Sequence, residues 1–203
     1  MDIAPLFQNK DKNELLEFLR QNAFGLLVSQ GDHHPEASHV PYTIAEEKGV
    51  WYLYSHIARG NRHTHFLNEQ NSHLFIVQGV DHYISSTWYD HENVPTWNYI
   101  SVHVTGTVEI QTGEAALDNI KRLMDDLEPP EESHRSMEKL DPEMVSRHMH
   151  GLVAFRMIIE NIEGAKKLSQ NRDKKNRSNV IRELERLNNP QAAEVAKEMR
   201  NNE

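Results

Sequence analysis

Between residues 23 and 54 three strand-like runs follow one another with only tight turns between them. Connections that short leave no room for a crossover, so the runs pair antiparallel. Ala23–Gln30 is apolar; Gly31-Asp32 with His33-His34 reads as a turn, and Pro35 is expected to keep the second strand, Ala37–Ile44, from starting early. Glu46–Gly49 reads as another turn, and Val50-Trp51-Tyr52-Leu53-Tyr54 has the aromatic, β-branched character of a third strand. Further strands are expected at His73–Gly79 and Asp81–Ser86, along Trp97–Ile110 with a bend or bulge at Gly106, and in Gly151–Asn161, which is apolar on nearly both faces. Six or so strands with a helix pair inserted before the last predict a mainly β chain with flanking helices, an antiparallel barrel rather than a parallel α/β sheet.

The helices have their own signals. Asp11-Lys-Asn-Glu14 reads as a capping box, and Leu15, Leu16, Phe18 and Leu19 continue with helical spacing to about Gln21. A short helix is expected over Asn61–Glu69. Thr112–Leu127 places Ala116, Ile120, Leu123, Met124 and Leu127 on one face and stops at Pro129-Pro130. The polar piece from Glu131 to His148 reads as partly helical. Asp173–Leu187 and Pro190–Asn201 close the chain, with Pro190 suited to a first turn.

Composition narrows the function. The 203 residues contain no cysteine, which excludes disulfides and thiolate metal sites and fits a cytoplasmic protein. The N-terminus lacks the pattern of a signal peptide, and no apolar stretch is long enough to span a bilayer. The net charge of −9 argues against broad binding to nucleic acid. The charge is uneven, however: Lys166–Arg186 holds eight Lys/Arg against three Asp/Glu, so the remainder carries −14. A solvated helix face with ligand-facing positives accounts for this better than a nucleic-acid patch.

Several short segments carry candidate chemistry. Ser55-His-Ile-Ala-Arg59-Gly-Asn61 combines a hydroxyl, a guanidinium and a flexible glycine where a strand ends. That set suits a phosphate, and equally a helix cap with a solvated arginine. Lys166-Lys-Leu-Ser-Gln-Asn171 has two cations and three amide or hydroxyl groups. It reads as an anion or ring-edge contact, or as a charged loop before a helix capped by Asn171 or Asp173. Trp88, Tyr89 and Trp97 belong to an aromatic run that suits an interface or a flat ligand. The thirteen histidines include His63-x-His65 and His148-x-His150, but no metal motif, and Asp125-Asp126 and Glu131-Glu132 read as solvated helix-end charges. No nucleophile elbow, P-loop or dinucleotide glycine pattern is present.

ISSTWY followed by VPTWNYISVHVTG, with ASHVPY at Ala37–Tyr42, SHIARGN at Ser55–Asn61 and KLSQNR after the last strand, resembles the PaiB-type transcriptional regulators. These belong to the flavin-binding split barrels related to pyridoxamine phosphate oxidase, and the resemblance covers nearly the whole chain. It implies a six-stranded antiparallel split β-barrel over residues 1–172 with a helical insertion at about 112–148, a C-terminal helical extension over 173–203, and a homodimer with FMN at its interface. It implies that Ser55, Arg59 and Asn61 hold the FMN phosphate, with Arg62 assisting. The strand bearing Ser38 and His39 would pass the flavin ring. Lys167, Ser169, Gln170 and Asn171 would read the phosphate or the pyrimidine edge, with Gln78 as a weaker ligand. The aromatic run would pack at the two-fold interface. The resemblance also implies a repressor that acts on DNA directly or through a partner protein. The alternative is a flavin-dependent oxidoreductase acting on an unknown small molecule, its reactive centre being the flavin. The histidines leave a haem-binding variant open.

Overall fold

The computed structural model describes residues 1–128 and 137–202, so the expected stop at Pro129-Pro130 and the Glu131-Glu132 pair lie outside the described residues. In chain order the strands are β1 Gln8–Asn9, β2 Phe24–Gln30, β3 Pro35–Glu47, β4 Val50–Ala58, β5 His73–Ile84, β6 Thr96–Gly106, β7 Val108–Gln111, β8 Leu152–Ile158 and β9 Asn161–Lys167. The α-helices are α1 Lys12–Gln21, α2 Gly113–Leu127, α3 Pro142–His150, α4 Lys174–Arg186 and α5 Pro190–Asn201. Two compact units share them: residues 1–15, 78–102 and 163–203 form one, and residues 16–77 and 103–162 the other.

The second of these units is an antiparallel sheet in the order β5-β2-β3-β4-β8-β7. Leu27, Val40, Leu53, Phe75, Phe155 and Met157 are fully buried and form its core. Helix α2 covers β3, β4 and β8. From it Asn119, itself buried, donates through Nδ2 to the carbonyls of Phe155 (2.8 Å) and Ser55 (3.3 Å). Arg122 donates to Glu47 at 3.2 Å, and the Tyr54 hydroxyl donates to the same carboxylate at 2.6 Å. Burial and then that bond to Glu47 push the Tyr54 hydroxyl up to about 12. Asp126, expected to be a solvated helix-end charge, accepts from the Thr43 hydroxyl.

The first unit orders β1-β9-β6-β5 and adds α4 and α5. Asp173 caps α4, accepting from the Asn176 amide at 3.0 Å, and Asn189 caps α5 with Pro190 in the first turn. Val180, Ile181 and Leu184 of α4 and Ala192, Val195, Ala196 and Met199 of α5 are buried as these helices pack together. Arg177 is buried beneath them; it donates to the Leu168 carbonyl at 3.3 Å and to the carbonyls of Met199 and Asn202 at the end of α5. That arginine does the work of a helix C-cap.

The chain is mainly β with flanking helices, as expected, but its described residues hold nine strands rather than six. The division of one expected strand and the added β9–β1 pair raise the number, and the merger of two expected strands lowers it. Trp97–Ile110 divides into β6 and β7, because Gly106 lies so close to β8 that a Cβ there would meet the Ile158 carbonyl oxygen at 1.7 Å. Asn161–Lys167 continues into β9 despite its charges, pairing with the two-residue β1. The fourth and fifth expected strands are the two ends of the single β5. Pro35 begins β3 rather than delaying it, since a first strand residue at the end of a ladder can forgo its missing N–H. The helix expected at Asn61–Glu69 is a shorter 3-10 turn, Arg62–Phe66, in which Asn61 accepts from the His63 amide.

Candidate functional site

Strand β4 ends at Ala58, and the polar segment that follows lies wholly in the sheet-rich unit. Arg59 is exposed, and its guanidinium is fixed rather than free: Nε donates to the His150 carbonyl and Nη2 to the Leu152 carbonyl, both at 2.8 Å. It borders a cavity of about 750 Å³ lined mainly by apolar side chains of α2 and α3, among them Leu117, Val145 and Met149. Gly60 has open space where a Cβ would stand. Arg62 is exposed and pairs with Glu36 at 2.5 Å. Ser55, three residues before the end of β4, is fully buried and donates to the Pro41 carbonyl at 2.7 Å, so its hydroxyl ties β4 to β3.

Ser38 and Asn61 come together: Asn61 Nδ2 donates to Ser38 Oγ at 3.2 Å. The residue that joins them to the core is His63, whose Nδ1 lies 3.0 Å from Ser38 Oγ and whose Nε2 lies 2.7 Å from Ser29 Oγ. The sequence offered His63 only as half of a His-x-His pair; its partner His65 is exposed, while His63 is 1% exposed. Among the described residues no group of three or more His, Asp or Glu is placed to hold a metal ion.

His39 follows Ser38 on β3 and faces the other way. It is exposed and stacks on the ring of Phe24, which is 59% exposed, with centroids 5.9 Å apart and planes 13° from parallel. The register places Leu26 beside both His39 and Ile76, and Val28 beside Leu74. Phe24, Leu26, Val28, Leu74 and Ile76 therefore share one half-open, wholly apolar face, while Leu27, Ser29, Phe75 and Val77 fill the core on the other. Phe24 was missed at the sequence level. Its signal was the alternation of β2, which puts Phe24 on the face opposite Leu27.

In the other unit, the Lys166–Asn171 segment folds in on itself. Gln170 accepts from the Leu168 amide and donates to the Lys166 carbonyl. Ser169, buried and at φ +59°, donates to Asn98 at 3.0 Å. Lys167 donates to Thr96 at 2.7 Å and Lys166 to Glu14 at 2.7 Å. Asn171 is exposed and, among the described residues, makes no side-chain hydrogen bond; the same holds for Gln78 on β5. Of the aromatic run, Trp97 is half exposed and donates to Asp81 at 2.8 Å, Trp88 is half-buried, and Tyr89 is buried beneath the Arg172 guanidinium.

Residues 1–161 match the model of the family described as "Putative FMN-binding domain". The chain belongs to this family. It is also 32% identical over 199 residues, 98% of the chain and 96% of the relative, to "Protease synthase and sporulation protein PAI 2" of Bacillus subtilis (strain 168). The PaiB-type resemblance is thereby borne out, and the cofactor of this FMN-binding family is FMN. Two solved structures share the fold at low identity. A FAD and heme binding protein of Mycobacterium smegmatis matches with TM-score 0.63, 18% identity and coverage of 84% of this chain and 78% of that one. The flavocytochrome Anf3 of Azotobacter vinelandii matches with TM-score 0.65, 15% identity and coverage of 88% and 78%. Among the described residues no helix is long and apolar enough to cross a membrane.

The donor set of the sheet-rich unit fits FMN. Arg59 and Arg62 supply two guanidinium groups, Gly60 leaves backbone uncovered between them, and the Phe24–His39 pair offers a flat apolar surface for a ring. Asn61 fastens the turn to β3 at Ser38, which precedes His39 and faces away from it.

Proposed function

We propose that two copies of this chain bind FMN across the open face of β2, β3 and β5. Gly60, Asn61 and Arg62, assisted by Arg59, hold the phosphate, and the Phe24–His39 surface packs on the flavin ring. The observation that carries this reading is the uncovered apolar strip from Phe24 to Leu74, on strands that the Asn61 amide ties to the Arg59–Arg62 turn through Ser38. A second copy would cover the strip, as such surfaces on soluble chains commonly mark interfaces. FMN supplies redox and ring-stacking chemistry when bound; the chain's own residues bind and orient it. Titration with FMN, followed by quenching of flavin fluorescence, tests the proposal, with sedimentation velocity to read the dimer. The expected result is saturable 1:1 binding per chain that Arg62→Ala weakens. Absence of any flavin binding by the intact chain refutes it.

The name of the Bacillus relative concerns protease synthesis and sporulation, and we infer a regulatory role here that works through a partner rather than by direct contact with DNA. The basic segment supports the indirect route, because its charges are largely matched. Lys175 pairs with Asp90 at 2.7 Å, Arg186 with Glu183 at 3.0 Å and Lys166 with Glu14 at 2.7 Å, while Arg177 is buried. A gel shift on the chain's own promoter region is expected to stay flat even at low salt; a salt-sensitive shift overturns this reading.

A further inference from the structure

The sheet-rich unit holds a buried polar chain whose direction can be deduced atom by atom. Ser29 on β2, Ser38 on β3, His63 in the 3-10 turn and His73 at the start of β5 are all buried. The Asn68 carbonyl can only accept, so His73 Nε2 carries a proton and donates to it at 2.9 Å. His73 Nδ1 is then the bare nitrogen, and the Ser29 hydroxyl donates to it at 2.7 Å. The Ser29 oxygen accepts from His63 Nε2–H at 2.7 Å, which leaves His63 Nδ1 bare to accept from the Ser38 hydroxyl at 3.0 Å. The Ser38 oxygen accepts from Asn61 Nδ2 at 3.2 Å, and Asn61 Oδ1 accepts the His63 backbone N–H at 2.9 Å. Each hydroxyl donates once, and each imidazole has one donor and one acceptor nitrogen. A single orientation satisfies the whole chain.

A proton added at His63 Nδ1 breaks that orientation. Ser38 would then face two donors, and its own hydroxyl proton would have no acceptor within the chain. Burial already disfavours the charged ring and holds His63 below its ordinary value of 6.5. His73, across Ser29, pushes the same way, and Glu36 on β3 pulls the other way. Glu36 is itself matched by Arg62 at 2.5 Å, with the His34 ring 3.6 Å from it.

We propose that this chain is an acid-released latch. With His63 neutral, it ties Asn61, and with it the Gly60–Arg62 turn, to β3; protonation of His63 frees the turn and weakens FMN binding. The effect on FMN rests on the flavin reading above, whereas the latch itself does not.

Nitrogen-15 NMR of the full chain without flavin tests the latch directly. At pH 8, His63 and His73 are expected as Nε2–H tautomers, with the Asn61 side-chain amide protected from exchange. As the pH falls below 6.5, protonation of His63 and loss of that protection should coincide. An Nδ1–H tautomer at His63, its protonation at or above 6.5, or an Asn61 amide unmoved by that protonation overturns the latch. FMN titrated over the same range should lose affinity in step with the protonation of His63. His63→Gln should bind FMN with no such pH dependence. If the wild type binds no flavin at any pH, the flavin reading fails and the Asn61 amide alone decides the latch. If His63→Gln does not fold, the wild-type titration decides it.

Discussion

Removing one hydroxyl, Ser29→Ala, should cost far more than a serine usually does. Ser29 is 3% exposed and sits between two imidazoles, accepting from His63 Nε2–H and donating to His73 Nδ1, both at 2.7 Å. Alanine leaves a donor and an acceptor unpaired at once, and both belong to side chains only 1% exposed. An unsatisfied buried polar group costs about 1–3 kcal/mol, so the pair costs about 2–6 kcal/mol. Against a typical total of about 5–15 kcal/mol, that is a large fraction of the folding free energy. The matched control is Ser178→Ala, whose exposed hydroxyl donates to the Lys174 carbonyl at 2.8 Å within α4; its change should stay within about 0.5 kcal/mol. Urea denaturation at pH 8 without flavin measures both, compared at equal slope so that the midpoint shift reports stability. A Ser29→Ala loss no larger than the Ser178 control would refute the assignment of donors and acceptors along the chain.

Three further outcomes follow from the same structure. Wild-type stability should be fully present above pH 6.5 and decline as the pH falls below it, because burial holds both His56 and His63 below their ordinary value and the unfolded chain takes up those protons first; urea midpoints from pH 8 to pH 5 check this, and a shallower decline in His63→Gln measures the share that His63 contributes. Phe24→Asp should leave the secondary structure intact while shifting sedimentation toward a single copy and weakening FMN, since it places a charge on the open apolar face. Gly106→Ala should lower the melting temperature sharply, because its Cβ would lie 1.7 Å from a backbone oxygen, whereas Gly60→Ala, with nothing within 4 Å, should barely change it.

Much of the fold was legible because several of its strands alternate in burial and turns separate them. The capping residues Asp11, Asp173 and Pro190 mark helix starts that the structure keeps. The misreadings fell where local signals and pairing disagree. Asn161–Lys167 carries too many charges to read as a strand, yet Asn9 and Gln8 pair with Gly164 and Ala165 there. Pro35 reads as a delay, but at the end of the β2–β3 ladder its missing N–H is harmless. Such positions depend on which neighbour a strand meets, and one sequence in isolation does not contain that information.

The candidate site shows the same division more sharply. Residue type indicated which segments are polar at strand ends, but not where each group points. Ser55 and Gln170 look like ligands by composition, yet both satisfy backbone groups of their own chain, Ser55 the Pro41 carbonyl and Gln170 the Leu168 amide. A polar side chain at the mouth of a sheet first meets the carbonyls and amides that the sheet leaves unpaired, and only the surplus remains for a ligand. By that criterion the outward groups are Arg62, Asn171 and His39, together with the face of Phe24, which no polar motif could have revealed. His63 is the converse case: half of a His-x-His pair by sequence, it is enclosed by two serines. The reach of this chain toward a cofactor is therefore set less by its conspicuous histidines and lysines than by which of them the backbone has not already claimed.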